Sequence, residues 1–268
     1  MNHTFSTDIR RAIFSKGFYI AVIGMMIAII IGAFDKILPI FQEGIAGGLA
    51  NGFHIEILIS SLSSGTMLLC VPIICALPYT ASVLDDIKSG YIKSYILRSD
   101  RKRYTVAKAV AAALSGGLAL FIGIMFCYLI FALIFSPMEL AIIPTEIQTD
   151  IGMMTETIAQ PSMFMKVLGK GLMFFLCGSL WSLVGLALAT GTQSRYMAYA
   201  SPFILYYVLI ILAERYFKDF VLLNPKEWLI PTQEWPGGNW GISLLIIELI
   251  ILVSIAFALL CKRRLSNE

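Results

Sequence analysis

The chain has 268 residues, 58% hydrophobic and 14% charged, with a formal net charge of +3. A soluble domain is about a quarter charged. One soluble core of this length cannot hide so much apolar side chain, so the solvent implied is a lipid bilayer. The small net charge, with basic residues gathered near the ends of apolar runs, argues against nucleic acid as a partner. Five cysteines fall in apolar runs or at their ends, with no CxxC pair. An odd number in such places reads as small buried hydrophobes rather than a disulfide framework or a metal site.

Thr4 to Lys16, TFSTDIRRAIFSK, opens the pattern. Phe5, Ile9 and Ile13 recur every fourth residue, with Asp8, Arg10, Arg11 and Ser15 elsewhere, which predicts an amphipathic helix in the headgroup plane. Six apolar runs then follow, long enough or nearly so to cross ~30 Å of hydrocarbon as helices. They lie at 17–38, 57–77, 106–135, 167–190, 197–213 and 241–261. Helices satisfy their own backbone in lipid, and these runs lack the alternation of barrel strands. The first run, Phe18 to Phe34, has no small-residue cleavage site after it and reads as a retained span. The fold class expected is therefore an all-α membrane protein, a single transmembrane domain over 1–268.

Orientation follows from Lys and Arg near the span ends. With the N-terminus inside, the inner segments hold fourteen and the outer segments six. Both termini are thus expected in the cytoplasm, together with the charged stretch Ser82 to Lys108. The outer loop Asp35 to Glu56 contains GIAGGLANG, and Pro137 to Met165 is acidic until Lys166. The last outer segment, Glu214 to Trp240, mixes apolar residues with Trp228, Trp235, Trp240 and three prolines. That composition predicts short interfacial or re-entrant helices before the sixth span, with tryptophans at headgroup level.

Chemistry is sparse. There is no GxxxxGK[ST] to cradle nucleotide phosphates. The two histidines, His3 and His54, lie outside the spans, so an HExxH metal site and a Ser–His dyad at depth are both excluded. One ionisable residue sits well inside a span, Glu248 in LLIIELIILV. It reads either as a proton-coupling or substrate-contact group, or as a neutral carboxyl hydrogen-bonded across the bundle. Small residues recur as AAALSGG in the third span and GSLWSLVGLALATG in the fourth, which permits close helix approach.

The 82–108 stretch carries the one resemblance. It has an acidic residue (Asp86), then Ser89-Gly90, an apolar-aromatic run (Tyr95-Ile96-Leu97), Arg101, and Lys108 opening the next span. This resembles the loop between the second and third spans of ABC type-2 permeases. There the pattern is often Glu-x-x-x-Gly-Thr, Leu-Leu, a small residue with proline, Ser-Arg and a lysine. Here Asp86 replaces the glutamate, Tyr91 the threonine, and Arg98-Ser99 stands where the proline pair is common.

The resemblance implies a membrane-spanning subunit of an ATP-driven exporter, itself not an enzyme and without a cofactor. ATP would be bound by a separate ABC ATPase subunit, and a second permease subunit would complete the pair as a homo- or heterodimer. The segment 82–105 would contain the cytoplasmic coupling helix. Its ATPase-docking residues would be Asp86, Ile87, Gly90, Tyr91, Tyr95 and Arg101, with Ile87, Tyr91 and Tyr95 on one helical stripe. The substrate expected is a peptide, a lipid-like molecule or a drug. Two other readings of the residues stay open: a proton-coupled carrier using Glu248, and a non-transporting immunity or sensor protein of the membrane.

Overall fold

The computed structural model describes residues 3–42, 54–92, 95, 100–134, 163–217, 221–230 and 238–265. Among these, all regular structure is helical. Five helices are long and apolar enough to cross a membrane. Their outward faces carry exposed apolar side chains such as Ile23, Ile27 and Ile31 in the first and Leu252, Ile255 and Leu259 in the last. Such a surface is stable only against hydrocarbon or another protein, so this is a multi-pass membrane protein.

Helix α1 (His3–Ile13) is the amphipathic helix of the N-terminus. Its inner face buries Asp8 and Ala12. Ser15 forms the joint to α2 (Lys16–Gln42). Its hydroxyl accepts from the Phe18 N–H at 3.0 Å and donates to the Pro78 carbonyl at 3.1 Å. The chain passes so close here that a Cβ on Gly17 would lie 2.4 Å from the Leu77 oxygen.

The second apolar run, expected as one span over 57–77, is broken. It forms α3 (His54–Leu62) and α4 (Gly65–Ile74), both packed on α2. The reason lies in SSLSSG, residues 60–65. Ser60, Ser61 and Ser63 turn their hydroxyls back onto carbonyls three or four residues earlier, competing with the helical ladder. Ser64 then caps α4 by accepting from the Met67 N–H. Gly32 of α2 makes room, since a Cβ there would meet the Ser64 hydroxyl at 2.4 Å.

After a turn at 75–81 comes the short α5 (Ser82–Lys88). Gly90 has φ +69°, the left-handed region that glycine adopts freely, and it ends this helix. Tyr91, Ile92 and Tyr95 belong to a further helical stretch. The stripe expected through Ile87, Tyr91 and Tyr95 is therefore divided between two segments. Residues 96–99, including the apolar-aromatic run beyond Tyr95, lie outside the described residues.

Helix α6 (Arg101–Ile134) has 34 residues, about 50 Å at 1.5 Å each, well beyond the ~20 that cross a bilayer. Its first turns therefore extend past the apolar layer. It pairs most extensively with α7 (Met163–Thr192), the most buried of the five long helices. The small-residue runs meet here. A Cβ on Gly116 would lie 2.5 Å from that of Ser182, and one on Gly117 2.5 Å from the Ser179 hydroxyl. Ser182 and Ser179 donate across the contact to the carbonyls of Ala112 and Ala113 at 2.8 and 2.9 Å. Close backbone approach plus interhelical hydrogen bonds is how helices adhere where lipid supplies no hydrophobic drive.

A tight turn through Gln193, at φ 60°, leads to α8 (Arg195–Arg215). The 214–240 segment holds a 3-10 turn at Val221–Leu223 and the short α9 (Pro225–Leu229), capped by Asn224. Trp228 is buried, stacks on Trp181 and donates to the Leu222 carbonyl at 3.0 Å. Helix α10 (Gly238–Leu265) closes the bundle against α7 and is the least buried span. The GIAGGLANG stretch, residues 135–162 and residues 231–237 lie outside the described residues. The five cysteines are free thiols, four of them buried and Cys70 partly so.

Candidate functional site

The helices bring most of the buried charge to one end of the bundle. Asp8 and Arg11 come from α1, Tyr79 from the turn after α4, Asp86 from α5, and Tyr104 and Lys108 from α6. Tyr104 and Lys108 are four residues apart, hence on one face of their helix. Asp8, Asp86 and Lys108 are each at most 2% exposed.

Lys108 is the hub. Its ammonium lies 2.7 Å from Asp86 Oδ2 and 3.0 Å from Asp8 Oδ1, and it donates to the Tyr79 hydroxyl at 2.8 Å. A lysine has three N–H donors, and here all three have acceptors, leaving none for a ligand. The hydroxyls complete the ring. Tyr79 donates to Asp8 Oδ1 at 2.9 Å and Tyr104 to Asp86 Oδ2 at 3.2 Å. Burial, reinforced by the negative charge of Asp8, pushes the Tyr79 phenol above its ordinary range and keeps it a donor. The ammonium also lies 4.8 and 5.6 Å from the ring centres of Tyr79 and Tyr104, within cation–π range.

Arg11 joins this buried group to the surface. One guanidinium nitrogen lies 3.3 Å from Asp86 Oδ1 and another 4.0 Å from Asp8 Oδ1. Partial burial disfavours its charge, but the two aspartates outweigh that and raise its pKa. On its other side the guanidinium sits 5.3 Å from the ring centre of Tyr91. Tyr91 packs edge-on against buried Tyr95, which packs in turn on Tyr104. Two routes thus run from Tyr91 to α6, one ionic and one aromatic.

With two carboxylates and two cations the cluster is charge-balanced. A buried ion group of this kind contributes little net stability compared with apolar packing, but removing one member leaves charge stranded. Among the described residues Asp8 Oδ2 has no hydrogen-bond partner. The neighbouring aspartate, Asp85, points the other way and pairs with Arg195 at the start of α8. Adjacent aspartates therefore tie α5 to two different transmembrane helices. The second tie is about half exposed, so solvent screens it and it contributes little energy.

The residues singled out in the sequence now divide. Asp86 and Tyr95 are turned inward, and Ile87 is half-buried. Gly90, Tyr91 and Arg101 are exposed. Arg101, Lys102 and Arg103 form the first turn of α6 with no acidic residue among them. Asp100, whose carbonyl accepts from the Tyr104 N–H, precedes them at the helix start and offsets part of that positive charge. Glu248 lies apart from the cluster, exposed on the outward face of α10 between Leu244 and Ile251. It does not point across the bundle, and no hydrogen bond or ion pair reaches it among the described residues.

Nothing in the sequence pattern marks Asp8, Arg11, Tyr79 and Tyr104 as partners of Asp86 and Lys108. The available signal was a lysine eight residues into a helix whose remainder is apolar, because an ion there needs counter-charges. Among the described residues no group of three His, Cys, Asp or Glu side chains is placed to hold a metal. Comparison with protein-family models, with curated proteins and with solved structures gives no match to this chain.

Proposed function

We propose that the chain is the membrane-spanning subunit of an ATP-driven exporter, similar in plan to ABC type-2 permeases. A separate ATPase subunit binds and hydrolyses ATP, and a second permease subunit completes the complex. The observation that carries this reading is the linkage from exposed Tyr91 through Arg11 and Asp86 to Lys108. A partner that shifts the 82–95 segment moves α6 with it, because the ions between them cannot be separated without stranding buried charge. Asp85 and Arg195 extend the same motion to α8.

The basic residues support an orientation with both termini and this end of the bundle in the cytoplasm of a cell-membrane protein. That places Tyr91, Gly90 and Arg101–Arg103 where a soluble ATPase can reach them. The transported molecule belongs to the apolar or amphipathic classes, a peptide, a lipid-like compound or a drug.

The test is purification of the full-length chain from its own membranes in mild detergent. A nucleotide-binding subunit is expected to accompany the wild type, and Tyr91→Asp is expected to lose it by burying a carboxylate in the contact. Purification of the folded wild type with no ATPase attached would overturn the reading.

A further inference from the structure

At the end of the bundle opposite the ionic cluster, α7, α9 and α10 enclose a cavity of about 820 Å³. That is within the usual size of small-molecule sites. Its walls are apolar, with Leu172 and Leu176 on α7, Trp228 on α9, and Trp240 and Ile247 on α10. Two cations, Lys166 and Lys170, line it one turn apart on α7. Among the described residues no carboxylate pairs with either lysine.

Lysines near a span end often snorkel to the headgroups. Lys170 does not. It is half-buried, and its ammonium turns to the wall of the cavity to donate to the Leu229 carbonyl at 3.2 Å. One donor is spent there and two remain. Among the described residues the cavity thus combines two lysine heads without a carboxylate partner and an apolar trough that runs down α7. Leu172, Ile247 and Trp240 are 50%, 41% and 81% exposed, so the trough opens sideways to hydrocarbon.

We propose that this groove binds an acidic amphiphile from the bilayer. Its anionic head lies between Lys166 and Lys170, and its alkyl chain lies against Leu172, Leu176 and Ile247. Apolar walls alone would accept any acyl chain. The lysines make an anion the better ligand, because a neutral head leaves their donors unsatisfied in a partly dry site. The inference is independent of ATP-driven transport.

The cavity carries its own reporters in Trp228 and Trp240. The probe is 9,10-dibromostearic acid, a contact quencher of tryptophan, compared with its uncharged methyl ester. Both are titrated into the full-length protein in phosphatidylcholine nanodiscs. The acid is expected to quench saturably, with an apparent affinity about tenfold tighter than the ester, as one charged hydrogen bond implies. Lys166→Gln together with Lys170→Gln is expected to bring the acid down to the ester's level. Where that double variant fails to fold, the exposed Lys166→Gln alone is expected to weaken the acid about threefold, part of the same term. Equal quenching by acid and ester, linear quenching without saturation, or an acid preference that survives the lysine substitution would each overturn the proposal.

Discussion

At the residue scale the account turns on Lys108. Its surroundings are stable as a set and unstable in part. Lys108→Met strands Asp8 and Asp86 beside a single half-exposed arginine, so it is expected to lower folding stability by about 3–5 kcal/mol. Asp86→Leu combined with Lys108→Met removes one charge of each sign, and it is expected to return within about 1–2 kcal/mol of the wild type. Denaturant titration of the detergent-solubilised protein distinguishes the two, and equal losses would contradict the assignment of Lys108 as hub. Two of the six residues in this cluster were legible in the sequence. Asp86 and Lys108 stood out through their spacing in the 82–108 stretch. Asp8, Arg11 and Tyr79 come from parts of the chain whose proximity depends on how α1 folds back against α6. The periodicity of α1 marks Phe5, Ile9 and Ile13 as its apolar face, but the face turned into the bundle carries Asp8 and Ala12, and nothing in that pattern signals it.

At the element scale length and hydropathy predict six spans, and five helices among the described residues are long and apolar enough to cross a membrane. The second run departs from that expectation because hydropathy does not register what serine hydroxyls do to a helix ladder. Ser60 to Ser64 break the helix while the window stays apolar. The divided stripe has a similar origin, since periodicity counts residues through Gly90 without regard to its φ of +69°. Small-residue runs were more informative, because they mark the seam between α6 and α7. Gly116→Val would place a Cβ 2.5 Å from Ser182 Cβ and 2.9 Å from the Cys75 carbonyl oxygen. It is expected to cost about 1–3 kcal/mol by overpacking. Gly169→Ala, with nothing within 4 Å of the new methyl, is the control and should hold or slightly raise the melting temperature.

At the scale of the whole molecule the two ends of the bundle differ in kind. One end is knotted by ions and presents Tyr91, Arg101, Lys102 and Arg103. Among the described residues the other end is apolar, with Lys166 and Lys170 lining its groove. Helix α7 runs through both, bonded to α6 along the small-residue seam and lining the groove with α10. Under the proposed function, a displacement imposed at the ionic end is expected to reach the groove through α7 and its contacts with α6 and α10. Glu248, outside both regions, is exposed on the outward face of α10 beside Leu244, Ile251 and Leu252.

Under the proposed function the ionic cluster transmits motion from a docked ATPase to α6. That transmission is tested most directly by measuring ATP turnover in the purified complex carrying Asp86→Leu with Lys108→Met. The account predicts that this variant stays folded and still brings down the ATPase through Tyr91, but that ATP turnover loses its response to transport substrate. Turnover that responds as in the wild type would contradict the account.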